Sequence, residues 1–221
     1  MGMHRGIFVT GTDTNVGKTV VSAAVMLRYR GEAPLKYWKP VQTGIEHDDD
    51  AREVARLAGM PAIHDRGVRL SHPVSPHLAA RLAGTRITVQ SLLEHVNGEA
   101  GTRWIVEGAG GVLVPINELE TMADLIGALD LPVLIAARSS LGTINHTLMT
   151  IEALRRRMLR VAGVVMVGEP NHENRLAIEK YGAAEVIAEM PRFDPLTPEA
   201  LERWVKTEFD RNGVLFVGGL R

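Results

Sequence analysis

The stretch Gly11-Thr12-Asp13-Thr14-Asn15-Val16-Gly17-Lys18-Thr19 carries the clearest chemistry in this sequence. Glycine lets successive backbone N–H groups converge on one anion. A helix opening at Lys18 adds the field of its N-terminus. Lys18 reaches the β- and γ-phosphate oxygens of a bound nucleotide, and the Thr19 hydroxyl is placed to ligate Mg²⁺. The spacing departs from the common phosphate loop. The position six residues before the lysine holds Thr12, and the glycine, Gly11, comes one residue earlier. A glycine turn that caps a helix by chance is the alternative, and the Gly17-Lys18-Thr19 end between a strand and a helix argues against it. A nucleoside triphosphate as co-substrate and Mg²⁺ as cofactor are therefore expected.

Other chemistry-bearing residues lie further along. Lys39 follows a short apolar strand and is either an exposed lysine at a strand end or a cation of a site. Glu107 ends the apolar run Trp104-Ile105-Val106, where a carboxylate is costly unless something positive faces it. A metal ion is a suitable partner. Gly108-Ala109-Gly110-Gly111 offers small residues and free N–H groups, although a plain tight turn has the same composition. Asp48-Asp49-Asp50 is either a solvated helix start with acidic caps or a source of metal ligands. Arg155-Arg156-Arg157 falls near a helix end and is read as complementing that helix's dipole. His77, in Ser75-Pro76-His77, is either structural or part of a pocket.

These residues need a scaffold that brings strand ends together. Gly6–Thr10, Leu35–Lys39, Trp104–Glu107, Pro132–Ala137, Val161–Val167 and Glu185–Glu189 read as short buried strands. Between them, Lys18–Arg30, Ala51–Ala58 (stopped by Gly59 and Pro61), Pro76–Leu82, Val89–Val96, Met122–Leu129, Thr143–Leu159, Glu173–Tyr181 and Pro198–Phe209 have helical spacing. Residues 61–78 read as irregular, and Val214–Val217 as a terminal strand or a docked tail. The alternation implies one α/β domain over residues 1–221. Its sheet is mostly parallel with helices on both faces, and it is P-loop NTPase-like. Ligands in such folds bind at the carboxyl ends of strands. The Gly-rich and charged clusters fall there, after Thr10, Lys39, Glu107 and Ala137.

Composition excludes several classes. With 25 Lys+Arg against 26 Asp+Glu, no general positive field recruits nucleic acid or an anionic membrane. The absence of cysteine rules out thiol catalysis, disulfides and cysteine-ligated metal and agrees with a cytoplasmic location. No apolar run approaches the roughly 20 residues that span a bilayer.

The loop GTDTNVGKT resembles that of the dethiobiotin synthetase family, which typically reads GTDTxVGKT. Four further segments agree in order and spacing: Lys39-Pro40-Val41-Gln42-Thr43-Gly44, Ser75-Pro76-His77, Glu107-Gly108-Ala109-Gly110-Gly111 and Leu141-Gly142-Thr143-Ile144-Asn145-His146. The likeness runs from about Gly6 to Thr150. It implies an ATP-dependent ligase of biotin synthesis that carboxylates 7,8-diaminopelargonic acid with CO₂, phosphorylates the carbamate and closes a ureido ring. It places Lys39 with Lys18 as the catalytic lysines. It assigns Asn15, Val16, Gly17, Lys18, Thr19, Val20, Asp50, Glu107, Gly108, Ala109 and Gly110 to the nucleotide, with Pro191, Arg192 and Phe193 beside its base. Thr19, Asp50 and Glu107 become the Mg²⁺ ligands, with Asp49 the alternative to Asp50. Thr43 supplies a hydroxyl to the carbamate, and Gly111 lines the substrate. Leu141, Gly142 and Asn145 hold the substrate's distal carboxylate from the partner subunit of a homodimer. The electrostatic demand is plain. Two unit charges 4 Å apart repel by about 4 kcal/mol at an effective dielectric near 20, so a carbamate and a γ-phosphate meet only where cations offset them.

Two departures stand out. Asn15 replaces an acidic residue of some relatives, and Val167-Gly168 stands where many carry Asn-Asp to read the adenine. Two other functions fit a phosphate loop of this kind. A partition- or septum-positioning ATPase switch usually carries a second lysine early in the loop, where this chain has Thr12-Asp13-Thr14. It also wants a basic amphipathic C-terminal helix, whereas Pro198–Phe209 is acidic. A non-catalytic nucleotide sensor is the other, and the intact Lys18, Lys39 and Glu107 count against it.

Overall fold

The computed structural model describes residues 5–46, 48–59, 62–96 and 101–216. In chain order these form β1 (Arg5–Gly11), α1 (Lys18–Tyr29), β2 (Leu35–Trp38), β3 (Val41–Thr43), α2 (Asp50–Ala58), β4 (Ile63–His64), β5 (Val68–Leu70), α3 (Pro76–Leu82), α4 (Val89–Leu93), β6 (Arg103–Gly111), α5 (Met122–Leu129), β7 (Val133–Arg138), α6 (Thr143–Arg155), β8 (Val161–Val167), α7 (His172–Gly182), β9 (Val186–Met190) and α8 (Pro198–Glu208). The main sheet has seven strands in the order β4-β2-β6-β1-β7-β8-β9, and its pairings are parallel throughout. β3 and β5 form a separate two-stranded parallel sheet. Among the described residues no helix is long and apolar enough to cross a membrane.

Strand periodicity divides the interior into two layers. Ile7 and Val9 of β1, Leu35 and Tyr37 of β2 and Ile105 of β6 face the layer that holds α1, α2 and α8. Phe8, Trp38, Trp104 and Val106 face the opposite layer, with α3 to α7. Two positions along from Ile105 comes Glu107, and two along from Tyr37 comes Lys39. By the same alternation both belong to the α1 side. Register brings them level, because Trp38 pairs with Val106 and Val9 with Glu107.

Several elements differ from the sequence expectation. β6 does not stop at Gly108 but continues to Gly111, whose backbone pairs with Gly11; the glycine run is strand, not turn. Residues 61–78 hold β4, β5 and the start of α3 instead of being irregular, since two- and three-residue strands lie below the length at which alternation shows. α6 ends at Arg155, short of Leu159, with Met158 in the left-handed region at φ 57°. Arg155, in the last turn of α6, also donates to the carbonyls of Gly182 and Ala183, at the end of α7, and Arg157 donates to the Ala153 carbonyl of α6. Residues 214–216 form turns and no strand, while Pro61 and Val217 lie outside the described residues.

That tail is docked by Asp210, which is 1% exposed. Its carboxylate accepts hydrogen bonds from Tyr29 Oη and from the N–H groups of Val214, at 2.8 Å, and Leu215, at 3.2 Å. The ring of Phe216 meets Tyr29 edge-on at 4.4 Å. Replacing Asp210 by alanine leaves two buried donors, the Tyr29 hydroxyl and the Leu215 N–H, and the more exposed Val214 N–H without their acceptor. The expected loss of stability is about 2–4 kcal/mol, taking one to three per orphaned group and partial rehydration; urea unfolding with an unchanged m-value checks it.

Candidate active site

Glu107 is fully buried, and both of its oxygens are engaged. Oε1 accepts from Lys39 Nζ at 2.8 Å and lies 3.2 Å from Thr19 Oγ1. Oε2 accepts from Tyr37 Oη at 2.8 Å and lies 3.1 Å from Ser22 Oγ. Thr19 and Ser22 are three apart on α1, so they share the helix face turned to the sheet. Asp50, at the start of α2, closes the group: its Oδ1 accepts from Thr19 Oγ1 at 2.7 Å, and its Oδ2 lies 2.6 Å from Lys39 Nζ. The neighbouring Asp49 instead caps α2 by accepting from Arg52 N–H, so the acidic run divides into one helix cap and one site carboxylate.

Charge follows this geometry. Burial would lower the pKa of Lys39, but the carboxylates of Glu107 and Asp50 outweigh it and hold the ammonium above its ordinary value. Burial likewise opposes ionisation of Asp50, yet Lys39 and the Thr19 hydroxyl carry its pKa below the usual carboxylate range. Burial, then the charge of Glu107, pushes the Tyr37 phenol well up, so it remains a donor. Lys18 differs. Burial, reinforced by the nearby charge of Lys39, lowers its pKa, and Nζ donates to the carbonyl of Asp13 at 3.0 Å.

The loop from Gly11 to Lys18 is shaped by two left-handed residues. Asn15 has φ 55°, a conformation that asparagine tolerates, and Gly17 has φ 93°. A side chain at Gly17 would be strained by that angle and would also stand 3.1 Å from Val167. At the crest, Asp13 accepts from Thr14 N–H at 2.7 Å and from Arg138, at the end of β7, at 2.6 Å.

A cleft of about 740 Å³ opens on this group, a volume suited to a nucleotide-sized ligand. Of the expected site residues, Asn15, Gly17, Lys18, Thr19, Val20, Lys39, Thr43, Asp50, Glu107, Ala109 and Gly110 line it. Val16 instead packs in the core, and Gly108 and Gly111 lie on β6 without lining the cleft. Pro191, Arg192 and Phe193 follow β9 outside it, and Phe193 meets Trp204 edge-on at 6.2 Å. Leu141, Gly142 and Asn145 lie on the exposed N-terminal side of α6, away from the cleft, with Leu141 fully exposed. Ser75 and Pro76 border the cleft, while His77 turns to Ser75 Oγ at 3.1 Å and to a separate hollow.

Tyr37 and Ser22 were not singled out from sequence, and Gln42 and Asp48 appeared there only within longer runs. Gln42 and Asp48 line the cleft, and Gln42 Nε2 donates to the carbonyls of Thr43 and Asp48. For Tyr37 the available signal was a hydroxyl two residues before Lys39, and for Ser22 a hydroxyl three residues after Thr19 on the same helix face.

Among the described residues no three His, Asp or Glu side chains gather to hold a metal. Thr19, Asp50 and Glu107 nevertheless present one hydroxyl and two carboxylates, all hard oxygens, at one point. That donor set fits Mg²⁺, which is commonly held by one or two carboxylates together with substrate phosphates and water.

A family model described as an AAA domain matches residues 5–200. The ATP-dependent dethiobiotin synthetase BioD of Paramagnetospirillum magneticum is 51% identical over 193 residues, covering 87% of this chain and 91% of that protein. BioD of Agrobacterium fabrum is 44% identical over 213 residues, 94% of this chain and 96% of its own. The biotin biosynthesis bifunctional protein BioCD of Bordetella avium is 46% identical over 205 residues, 91% of this chain but 43% of that longer protein. Among solved structures, the MinD septum site-determining protein of Pyrococcus horikoshii, complexed with Mg-ADP, superposes with a TM-score of 0.56 at 14% identity over 91% of this chain and 86% of its own. A ParA family ATPase from Chlorobium tepidum gives 0.55 at 12% over 93% and 99%. With those two proteins the likeness is one of fold alone. With the synthetases it extends to the sequence along most of the chain, and the chain belongs to the dethiobiotin synthetase family.

Proposed function

We propose that this protein is an ATP-dependent dethiobiotin synthetase. One amine of 7,8-diaminopelargonic acid takes up CO₂ as a carbamate and releases a proton. A carbamate oxygen attacks the γ-phosphorus, the bond to the bridging oxygen of the β-phosphate breaks, and ADP leaves. The second amine then attacks the carbonyl carbon of the mixed anhydride. Phosphate leaves, and the amine's proton passes to solvent. The observation that carries this reading is the Lys39 ammonium, 4% exposed, held between Glu107 and Asp50 in the cleft that Lys18 also lines. A nucleotide binder alone has no need of a second cation there; a reaction that joins two anions does.

Lys18 and the loop's N–H groups grip the triphosphate. Lys39 remains protonated and offsets charge as it moves between carbamate and γ-phosphate. The Thr43 hydroxyl orients the carbamate, and Gly111 leaves room for the diamine. Thr19, Asp50 and Glu107 would hold Mg²⁺, which when bound neutralises phosphate charge. Leu141, Gly142 and Asn145 receive the distal carboxylate from a second subunit. The exposure of Leu141, in the turn before α6, at 100% and of Met149, on α6, at 60% supports a homodimer through this region. The chemistry uses small soluble metabolites and suits the cytoplasm. The decisive test incubates the protein with diaminopelargonate, labelled bicarbonate, ATP and Mg²⁺. Labelled dethiobiotin is expected, and ATP hydrolysis without label in the ring would reject the function.

Base selectivity is expected to be loose. Val167 packs its side chain towards Gly17, and a Cβ at Gly168 would fall 2.5 Å from Ser139 Oγ. Neither position offers a side chain that donates or accepts hydrogen bonds to a base, as an Asn-Asp pair would. Steady-state kcat/KM for ATP, CTP and GTP is expected to agree within about tenfold, the worth of one missing hydrogen bond. A preference for ATP as sharp as that of an Asn-Asp relative measured alongside would contradict this.

A further inference from the structure

Glu107 is asymmetric. Its Oε1 faces the cleft, towards Lys39 and Thr19, whereas Oε2 points into the protein between Tyr37 and Ser22. Tyr37 and Ser22 are both fully buried, so Oε2 is shielded from bulk solvent. The Tyr37 hydroxyl, 2.8 Å away, is committed to that oxygen. The single Ser22 proton is divided between Oε2 at 3.1 Å and the Lys18 carbonyl at 2.9 Å, which makes it the weaker donor. To bind a cation through both oxygens, Glu107 would have to rotate about its last bond and break the buried Tyr37 hydrogen bond.

We infer that Tyr37, assisted by Ser22, confines Glu107 to offering one oxygen to the cleft, and that this clamp makes the metal position selective for Mg²⁺ over Ca²⁺. The inference rests on the assignment of Thr19, Asp50 and Glu107 as metal ligands. Its physical basis is the different demand of the two ions. Mg²⁺ takes near-octahedral geometry at about 2.0–2.1 Å with single oxygens and water, whereas Ca²⁺ takes six to eight oxygens at about 2.3–2.6 Å and commonly uses a carboxylate through both. A carboxylate with one oxygen tied back suits the first ion and penalises the second. Tyr37 and Ser22 are positioning residues here, since they act on the metal only through Glu107.

The test measures binding, not turnover. MgCl₂ and CaCl₂ are titrated separately by calorimetry into wild type and into Tyr37→Phe, each saturated with a non-hydrolysable ATP analogue. In Tyr37→Phe the ratio of Mg²⁺ to Ca²⁺ affinity is expected to fall by about tenfold or more, the usual scale for loss of a ligand's hydrogen-bond partner. The apparent KM for Mg²⁺ should rise while the KM for the diamine stays unchanged. A folded Tyr37→Phe that keeps the wild-type ratio overturns the clamp. Wild type that binds neither cation overturns the metal assignment itself, and the clamp with it, whatever the variant does. Should Tyr37→Phe lose its cooperative melting transition, Ser22→Ala carries the test, with a smaller shift of the ratio in the same direction expected and no shift overturning the proposal.

Discussion

Lys39→Met is expected to lower single-turnover formation of dethiobiotin about a hundredfold or more, the scale for removing one electrostatic donor to a developing charge. Nucleotide affinity should change far less, because the grip on the triphosphate comes from Lys18 and the loop. The variant also exposes what Lys39 does for the resting fold. It leaves Asp50 and the fully buried Glu107 facing each other with no cation between them. Breaking a buried ion pair on one side costs about 3–5 kcal/mol, so urea unfolding should move to lower concentration. The pH dependence has a definite sign. Asp50 is depressed in the folded state by Lys39, and its contribution to stability is present above the ordinary carboxylate pKa and lost as pH falls through the depressed value. Without Lys39 that loss should begin at higher pH. Conversely, the raised pKa of Lys39 keeps it charged through the neutral range, so turnover should show no titration of this lysine there. Near-normal turnover in Lys39→Met, with the expected drop in stability, would make Lys39 a structural cation and end its role in the chemistry.

The loop and Lys18 were legible in the sequence because their chemistry is written in consecutive residues at a strand-to-helix junction, whereas Lys39, a lone lysine at a strand end, was assigned a role only through the family resemblance. Glu107 was legible for a different reason: a carboxylate closing an apolar strand demands a partner, and Lys39, level with it on the neighbouring strand, is that partner. Asp50 was separable from Asp49 only in three dimensions, because both sit at a helix start and either suits a cap. The hydroxyl of Tyr37 was too weak a signal by itself, since an aromatic residue in a buried strand is ordinary core until one knows which face Glu107 occupies. β4, β3 and β5 were missed because two or three residues are too few for a period of two to declare itself. The strand character of Gly108–Gly111 was hidden by composition. Glycine reads as a turn, and here it runs on beside the glycine that ends β1.

Lys18→Ala is expected to give a result of the opposite kind. Nucleotide affinity should fall about tenfold to a hundredfold, since a hydrogen bond to a charged group contributes about 1.5–3 kcal/mol, and turnover should fall further because the same ammonium faces the leaving phosphates. Stability without nucleotide should not fall. Burial and the charge of Lys39 lower the pKa of Lys18, so the fold disfavours its charged form, and deleting that charge relieves the strain. The melting temperature of Lys18→Ala without nucleotide is therefore expected at or above that of wild type, while Lys39→Met melts lower. Lys18→Arg should not restore function, because a bulkier, planar guanidinium does not fit where a compact ammonium is only 7% exposed and folded against the Asp13 carbonyl. Two buried lysines in one cleft thus separate by sign. One is stabilised by carboxylates already in the protein, and the other is held against its own preference until an anion arrives. Equal losses of stability in the two variants, by thermal melting under the same conditions, would show that Lys18 too is neutralised by the fold and is not poised for phosphate.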